Sequence, residues 1–289
     1  MRVYFTGFWD GFFEKTDPIH IDLFIKILTD IFNEDIVVSN NLDDAEILME
    51  SIFTPNTYVN YKKWRASFLF TGESFHAPQM QDTISSYTCI MGFHETIDNY
   101  VEFPFYVLYC KSFPHIDFTP TNIVPNNSTS AVISNGYLNV RLAFLDKLEK
   151  RMNVLYGGSY KNNIGGKLEG NYASDNLLNF YKKSKFVITM ENTKTGHYIT
   201  EKIINGFRAG IIPIYWGTSQ VTKYFNSKRF ITLEDSSESS INSVIDRMVF
   251  MRDEEYLQIV NEPIFNIDTD IETVYNNAIN NIKKLVLNK

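Results

Sequence analysis

Cysteine is scarce in this 289-residue chain. Cys89 and Cys110 are the only two, with no CxxC pair, so a disulfide scaffold is excluded. Both read as small buried hydrophobes, with a single bridge as the alternative. Histidine is thin as well. His20, His76, His94, His115 and His197 lie far apart, and no metal set is expected from them. No run of eighteen apolar residues exists, so no membrane-spanning helix is expected. The opening MRVYFTGFWDGFFEKTD has one early Arg but no continuous apolar stretch leading to small residues, so it does not read as a signal peptide. These absences predict a cytoplasmic or peripheral protein. Positive charge is also short: 27 Lys+Arg against 34 Asp+Glu give a net charge of −7. Broad binding to nucleic acid or anionic membranes is thereby disfavoured, while a local basic pocket for a small anion is not. Asn127-Ser128-Thr129 would be a glycosylation sequon only in a secreted chain.

What is present is the composition of a globular protein, 44% hydrophobic and 21% charged, with 23 Phe and 17 Tyr available for cores and for stacking on sugars or bases. The length fits one large domain or two medium ones. Short apolar runs alternate with helical or polar stretches, the rhythm of a parallel α/β sheet. In the first half, strands are expected at RVYFTGF, 35–39, 45–53, 67–73 and 88–93, with a helix over 19–32. Four prolines between Pro104 and Pro125, followed by NNSTS, predict an interdomain linker near 112–129. The second half repeats the rhythm: strands at 131–135, 152–158, KFVITMEN, IIPIYWG and 229–233, and helices at 138–150, NLLNFYKKS, TEKIINGFRAG and the tail IETVYNNAINNIKKLVL. Two domains are expected, 1–125 and 126–289. Ligands of open α/β sheets bind at the carboxyl ends of strands.

Four constellations could carry chemistry. In FVITMENTKTGHYITEKIINGF, a buried strand ends at Glu191-Asn192, and after Tyr198 the residues Thr200-Glu201-Lys202 open a helix. Thr200 is a credible N-cap. Lys202 opposes the helix dipole, which makes sense where an anion docks on the free N–H groups of the first turn. The alternative is a capping Glu201 beside a solvated Lys202. In VISNGYLNVRLAF, Ser134 and Asn135 end a strand and Arg141 enters the next helix. Arg suits bidentate contact with diphosphate oxygens, although an ordinary exposed helix Arg fits the spacing too. In FLFTGESFHAP, Glu73 is delivered at a strand's carboxyl end, where a general base would sit. His76 could do the same work, and a plain turn is the alternative. Finally GGSYKNNIGG (157–166) lacks a Walker pattern and reads as a surface loop or a lid.

Residues 186–231 strongly resemble the signature of the α-1,3/1,4-fucosyltransferase family, roughly F-x-x-x-F-E-N-S, then Y-[IV]-T-E-K, A-G-x-[VI]-P-[IV]-Y-W-G and F-N-P-K-S-F-I. VISNGYLNVRLAFLDKLEK resembles the family's S-N segment and following Arg helix, and SFLFTGESFHAP with YTCIMGF its acceptor-side strands. The resemblance runs from about 67 to 233, and the first 60 residues match only in pattern. It implies a GT-B architecture: an α/β fold of two Rossmann-like domains with parallel sheets facing across a cleft. Residues 1–125 would bind the acceptor and 126–289 the donor GDP-fucose. The implied reaction is inverting and metal-independent, with no cofactor. By resemblance Glu73 is the general base and Arg141 and Lys202 are the cations on the diphosphate. Glu201, Tyr198, Asn192, Ser134 and Asn135 line the donor. The expected partners are GDP-fucose and an N-acetyllactosamine-type oligosaccharide, reached at O3 of GlcNAc or Glc. The chain departs from the pattern at Met190, Thr193 and His197, and on the acceptor side at Glu102, where relatives often carry a basic run. The alternatives are a same-fold transferase of another nucleotide sugar and a non-catalytic glycan- or nucleotide-binding relative. The latter is opposed by Glu73, Arg141, Glu201 and Lys202 occurring together.

Overall fold

The computed structural model of the chain describes residues 1–73, 82–92, 98–113 and 118–287. Two compact units result. One comprises Met1–Phe113, Thr195–Tyr198 and Asp270–Lys289, the other Pro114–Lys194 and Ile199–Thr269.

The first unit is built on six parallel strands: β1 (Arg2–Thr6), β2 (Val37–Val38), β3 (Ile47–Ser51), β4 (Ala66–Phe70), β5 (Cys89–Gly92) and β6 (Tyr100–Glu102). Their order is β2-β1-β3-β4-β5-β6. Every residue of β3, β4 and β5 is buried, as a parallel sheet covered on both faces requires. Helix α1 (Ile21–Phe32) buries Phe24, Ile27, Leu28 and Ile31 along one stripe and ends on Asn33 in the left-handed region. Helix α2 (Phe105–Ser112) fills the start of the stretch between Pro104 and Pro125, where the sequence predicts no element, and ends where the linker of 112–129 is expected to begin. Five of its eight residues are buried, and a helix covered nearly all round shows no amphipathic period. The tail forms α9 (Ile271–Leu287), as its periodicity predicts, and buries Val274, Tyr275, Ala278, Ile279 and Ile282. It belongs to the first unit, whereas the sequence pattern grouped it with the second half and put the division at 125/126. The Tyr275 hydroxyl donates to Asp30 Oδ2 of α1 at 2.6 Å, and its ring meets Phe103 edge-on.

The second unit holds β7 (Asn126–Ala131), β8 (Asn153–Tyr156), β9 (Ser184–Ile188), β10 (Ile212–Tyr215) and β11 (Ile231–Thr232), all parallel, in the order β11-β10-β9-β7-β8. Between them run α3 (Asn139–Leu148), α4 (Asp175–Tyr181), α5 (Glu201–Arg208) and α6 (Val221–Tyr224), and α7 (Glu238–Phe250) and α8 (Asp253–Val260) follow. Strand β7 corrects the sequence reading twice. NNSTS is not linker but strand, and the expected strand at 131–135 ends at Ala131. Polar residues can fill a central strand here because their hydroxyls satisfy one another: Ser128 Oγ donates to Ser184 Oγ at 2.9 Å, and Ser130 Oγ lies 2.9 Å from the same atom. The core of this unit joins Phe144 and Leu145 of α3, Phe186 of β9, Ile212 and Ile214 of β10, and Ile245 and Met248 of α7. Among the described residues no helix is long and apolar enough to cross a membrane.

Candidate functional site

In the second sheet the chain passes from β7 to β8 on one side and then to β9 on the other. The carboxyl ends of β7 and β9 therefore flank a topological switch point, the place where open α/β sheets bind ligands. Ser134 and Asn135 follow β7 and are exposed, and Arg141 lies in the first turn of α3. Glu191 and the exposed Asn192 follow β9, and Glu201 and Lys202 open α5. Six residues singled out in the sequence thus share one end of one sheet.

Arg141 is 7% exposed. Its Nη2 donates to the carbonyl oxygen of Asn135 at 3.2 Å, and its Nε is buried with no hydrogen-bond partner. No carboxylate pairs with it among the described residues, and burial pushes its guanidinium below the ordinary pKa. A buried cation without a counter-charge is costly unless an anion completes it. Arg141 is therefore tied to the Ser134–Asn135 turn by one hydrogen bond and keeps positive charge to offer.

Lys202 is placed differently. Its Nζ lies 3.0 Å from Thr200 Oγ1, 3.3 Å from Glu191 Oε2 and 3.4 Å from Glu201 Oε1. Two carboxylates already offset its charge. Thr200 is the N-cap of α5, its side chain accepting from the Lys202 N–H. Glu191 is fully buried, and desolvation raises its pKa, with Glu201 adding to the rise and Lys202 and the hydrogen bonds from Thr200 opposing it. Sequence reasoning marked this carboxylate only as the polar end of a strand and gave it no role in the site. The signal was a lone Glu directly after an apolar strand, in FVITME.

The GGSYKNNIGG loop is bound to the same place. Gly157 and Tyr160 donate from their backbone nitrogens to Ala131 and Ile133, each at 3.0 Å. A Cβ on Gly158 would lie 2.2 Å from the Ile133 carbonyl oxygen, so only glycine allows this approach.

Two further residues picked from sequence belong to the first unit. Glu73 is half-buried, three residues beyond β4. Tyr198 is 4% exposed, its ring 5.8 Å from that of Phe105. Beside it His197 Nδ1 lies 3.0 Å from Glu102 Oε1, so two of the departures noted in the sequence form one contact. His76 lies outside the described residues. No group of three or more His, Cys, Asp or Glu is arranged to hold a metal ion among the described residues.

The sequence profile of the C-terminal domain of glycosyltransferase family 10 (fucosyltransferase) matches residues 125–259. Those residues form a glycosyltransferase family 10 domain. The family 10 domain takes in all five strands of the second sheet and both flanks of its switch point. The chain is 34% identical over 142 residues to an α-(1,3)-fucosyltransferase of Helicobacter pylori (48% of this chain, 28% of that protein). It is 32% identical over 183 residues to a putative fucosyltransferase of Acanthamoeba polyphaga mimivirus (61% and 30%). With the human 4-galactosyl-N-acetylglucosaminide 3-α-L-fucosyltransferase 9 it shares 31% over 104 residues (35% and 26%). The matched stretches thus span less than a third of those relatives' own lengths. A crystal structure of an α1,3-fucosyltransferase superposes with a TM-score of 0.76 at 21% identity, covering 100% of this chain and 90% of that one. A crystal structure of an α1,3-fucosyltransferase with GDP-fucose gives a TM-score of 0.72 at 21% identity over 99% of this chain and 90% of that one. This likeness establishes the α/β fold with two parallel sheets, the GT-B class expected from sequence.

Proposed function

We propose that the chain is an inverting α-1,3-fucosyltransferase that moves L-fucose from GDP-β-L-fucose to a hydroxyl of a glycan, O3 of GlcNAc or Glc in an N-acetyllactosamine-type acceptor. The second unit takes the donor and the first the acceptor. The observation that carries the reading is Arg141, a buried cation with no carboxylate partner among the described residues, beside an exposed Ser134–Asn135 turn and within the stretch that matches the family 10 C-terminal domain. Relatives named as fucosyltransferases support the choice of sugar.

In this reading the acceptor hydroxyl attacks the anomeric carbon of fucose and gives its proton to the Glu73 carboxylate. The bond from that carbon to the phosphate oxygen breaks, its electron pair leaves with GDP, and the β-linked donor yields an α-fucoside. The transition state carries oxocarbenium character, so positive charge grows on the sugar and negative charge on the diphosphate. Arg141 answers the diphosphate charge, helped by Lys202 and the N–H groups opening α5. Glu201, Asn192, Ser134 and Asn135 of the second unit hold the nucleotide and fucose, and Tyr198 is the one donor residue this reading takes from the first unit. The reading assigns no cofactor.

The test is incubation with GDP-fucose and N-acetyllactosamine, with the product linkage read by NMR. An α1,3-fucosylated product and stoichiometric GDP are expected. Bound GDP without transfer or donor hydrolysis would favour a non-catalytic binder, and stronger competition by UDP or GDP-mannose than by GDP would move the reading to another nucleotide sugar.

A further inference from the structure

The first sheet also has a switch point. From β1 the chain crosses to β2 on one side and to β3 on the other, so the carboxyl ends of β1 and β3 flank it. Trp9 follows β1 and Phe53 follows β3. Gly7 draws the two ends together, because a Cβ there would lie 2.3 Å from the Ser51 carbonyl oxygen, and the Phe53 N–H donates to the Gly7 carbonyl at 2.9 Å. Below this pair Phe12, Phe24 and Phe70 are buried core. Trp9 and Phe53 are not: Trp9 is half-buried and Phe53 is 39% exposed, and their rings meet edge-on at 5.5 Å. Phe53 also abuts the strand end that carries Glu73. A Cβ on Gly72 would stand 3.0 Å from Phe53 Cε2, so that turn packs closely on the edge of the ring. Two further carboxylates at this end of the sheet are engaged: Glu50 is fully buried with both oxygens occupied by the Asn56 and Thr57 N–H groups and the Tyr87 hydroxyl, and Glu102 lies 3.0 Å from His197 Nδ1.

This switch point offers a part-exposed pair of aromatic rings, with Glu73 in the adjoining turn. That chemistry suits a neutral ligand with one apolar face and one edge of hydroxyls. We propose that Trp9 and Phe53 are the acceptor platform: the C–H face of a neutral pyranose stacks on the two rings, leaving a hydroxyl free to lose its proton to Glu73. Rings of this kind give large contact area at little cost in side-chain freedom. The assignment rests on the transferase reading above and adds the surface that selects the acceptor.

Trp9→Leu and Phe53→Leu keep an apolar side chain in place and remove the flat face. Each is expected to raise the KM for N-acetyllactosamine by about tenfold, with the KM for GDP-fucose, the affinity for GDP and the Tm held close to wild type; Phe53→Tyr should restore the acceptor KM. An acceptor KM within twofold of wild type in both Leu variants overturns the platform, and so does a donor KM that rises in step with it. Should the wild type transfer no fucose, the transferase reading fails separately. Saturation-transfer NMR with N-acetyllactosamine alone then decides the platform. Contact with wild type that is lost in the double Leu variant upholds it, and no contact with wild type refutes it.

Discussion

Both oxygens of the Glu191 carboxylate are taken by one residue, Thr200, whose backbone N–H donates to Oε1 and whose hydroxyl donates to Oε2, each at 2.8 Å. The end of β9 is thereby tied to the N-cap of α5, and the loop between them closes on a buried clasp. Glu191→Ala leaves two buried donors without acceptors and removes one of the counter-charges of Lys202. A loss of about 3 kcal/mol is expected, lowering the Tm by roughly 6–12 °C. A Tm within 2 °C of wild type would show that the clasp contributes little.

The same carboxylate makes a pH prediction. Burial raises the folded-state pKa of Glu191 above its value in the unfolded chain. Between those two values the folded protein holds more protons than the unfolded one, so stability falls as pH rises through that window. The contribution is fully present below the unfolded value of about 4.3 and is lost above the raised folded one. Glu191→Gln has nothing to titrate. Whatever its absolute stability, the wild type should therefore lose Tm relative to Glu191→Gln as pH climbs from about 4 toward neutrality, and parallel melting curves across that range would contradict the burial argument.

Arg141 separates stability from binding. Its charge is desolvated and has no carboxylate partner among the described residues, so a neutral side chain of similar length removes a cost together with one bond to Asn135. Arg141→Met should melt at or above the wild-type temperature yet bind GDP roughly 10- to 100-fold more weakly, the value of one or two charge-assisted hydrogen bonds. Calorimetry with GDP reads the second effect directly. Undiminished affinity would remove Arg141 from the donor site.

Glu73→Gln tests the base. The amide keeps the shape of the side chain but cannot accept the acceptor's proton. GDP affinity should stay at the wild-type value while transfer falls by about a hundred- to ten-thousandfold. Near-normal turnover would assign the proton to another group.

Much of the candidate site in the second unit could be read in the chain itself, because its signals are local. An apolar run that turns polar marks a strand's carboxyl end, and Thr-Glu-Lys before a periodic stretch marks a helix start. Those two rules located Ser134, Asn135, Asn192, Glu201 and Lys202. What stayed hidden depends on partners distant in sequence. The counter-charges of Lys202 come partly from Glu191, eleven positions earlier, and a net charge of −7 says nothing of which charges meet. Trp9 and Phe53 are neighbours only because β1 and β3 pair in parallel. Helix α2 lost its period to burial. Strand β7 looked like linker because a reading by polarity cannot see hydroxyls that satisfy each other.

That last point can be measured. Ser184 is fully buried, and its hydroxyl is shared by Ser128 and Ser130 of the neighbouring strand. Ser184→Ala leaves the Ser128 and Ser130 hydroxyls in the core without their main partner, at a cost of about 2 kcal/mol. The triple replacement Ser128→Ala, Ser130→Ala, Ser184→Ala removes every member of the cluster, and matched apolar groups are nearly neutral in such a place. It should recover most of the loss, so that three substitutions destabilise less than one. Urea denaturation of the wild type, the single and the triple variant checks this ordering. A triple variant less stable than the single one would mean that the hydroxyls hold β7 to β9 by more than their mutual satisfaction.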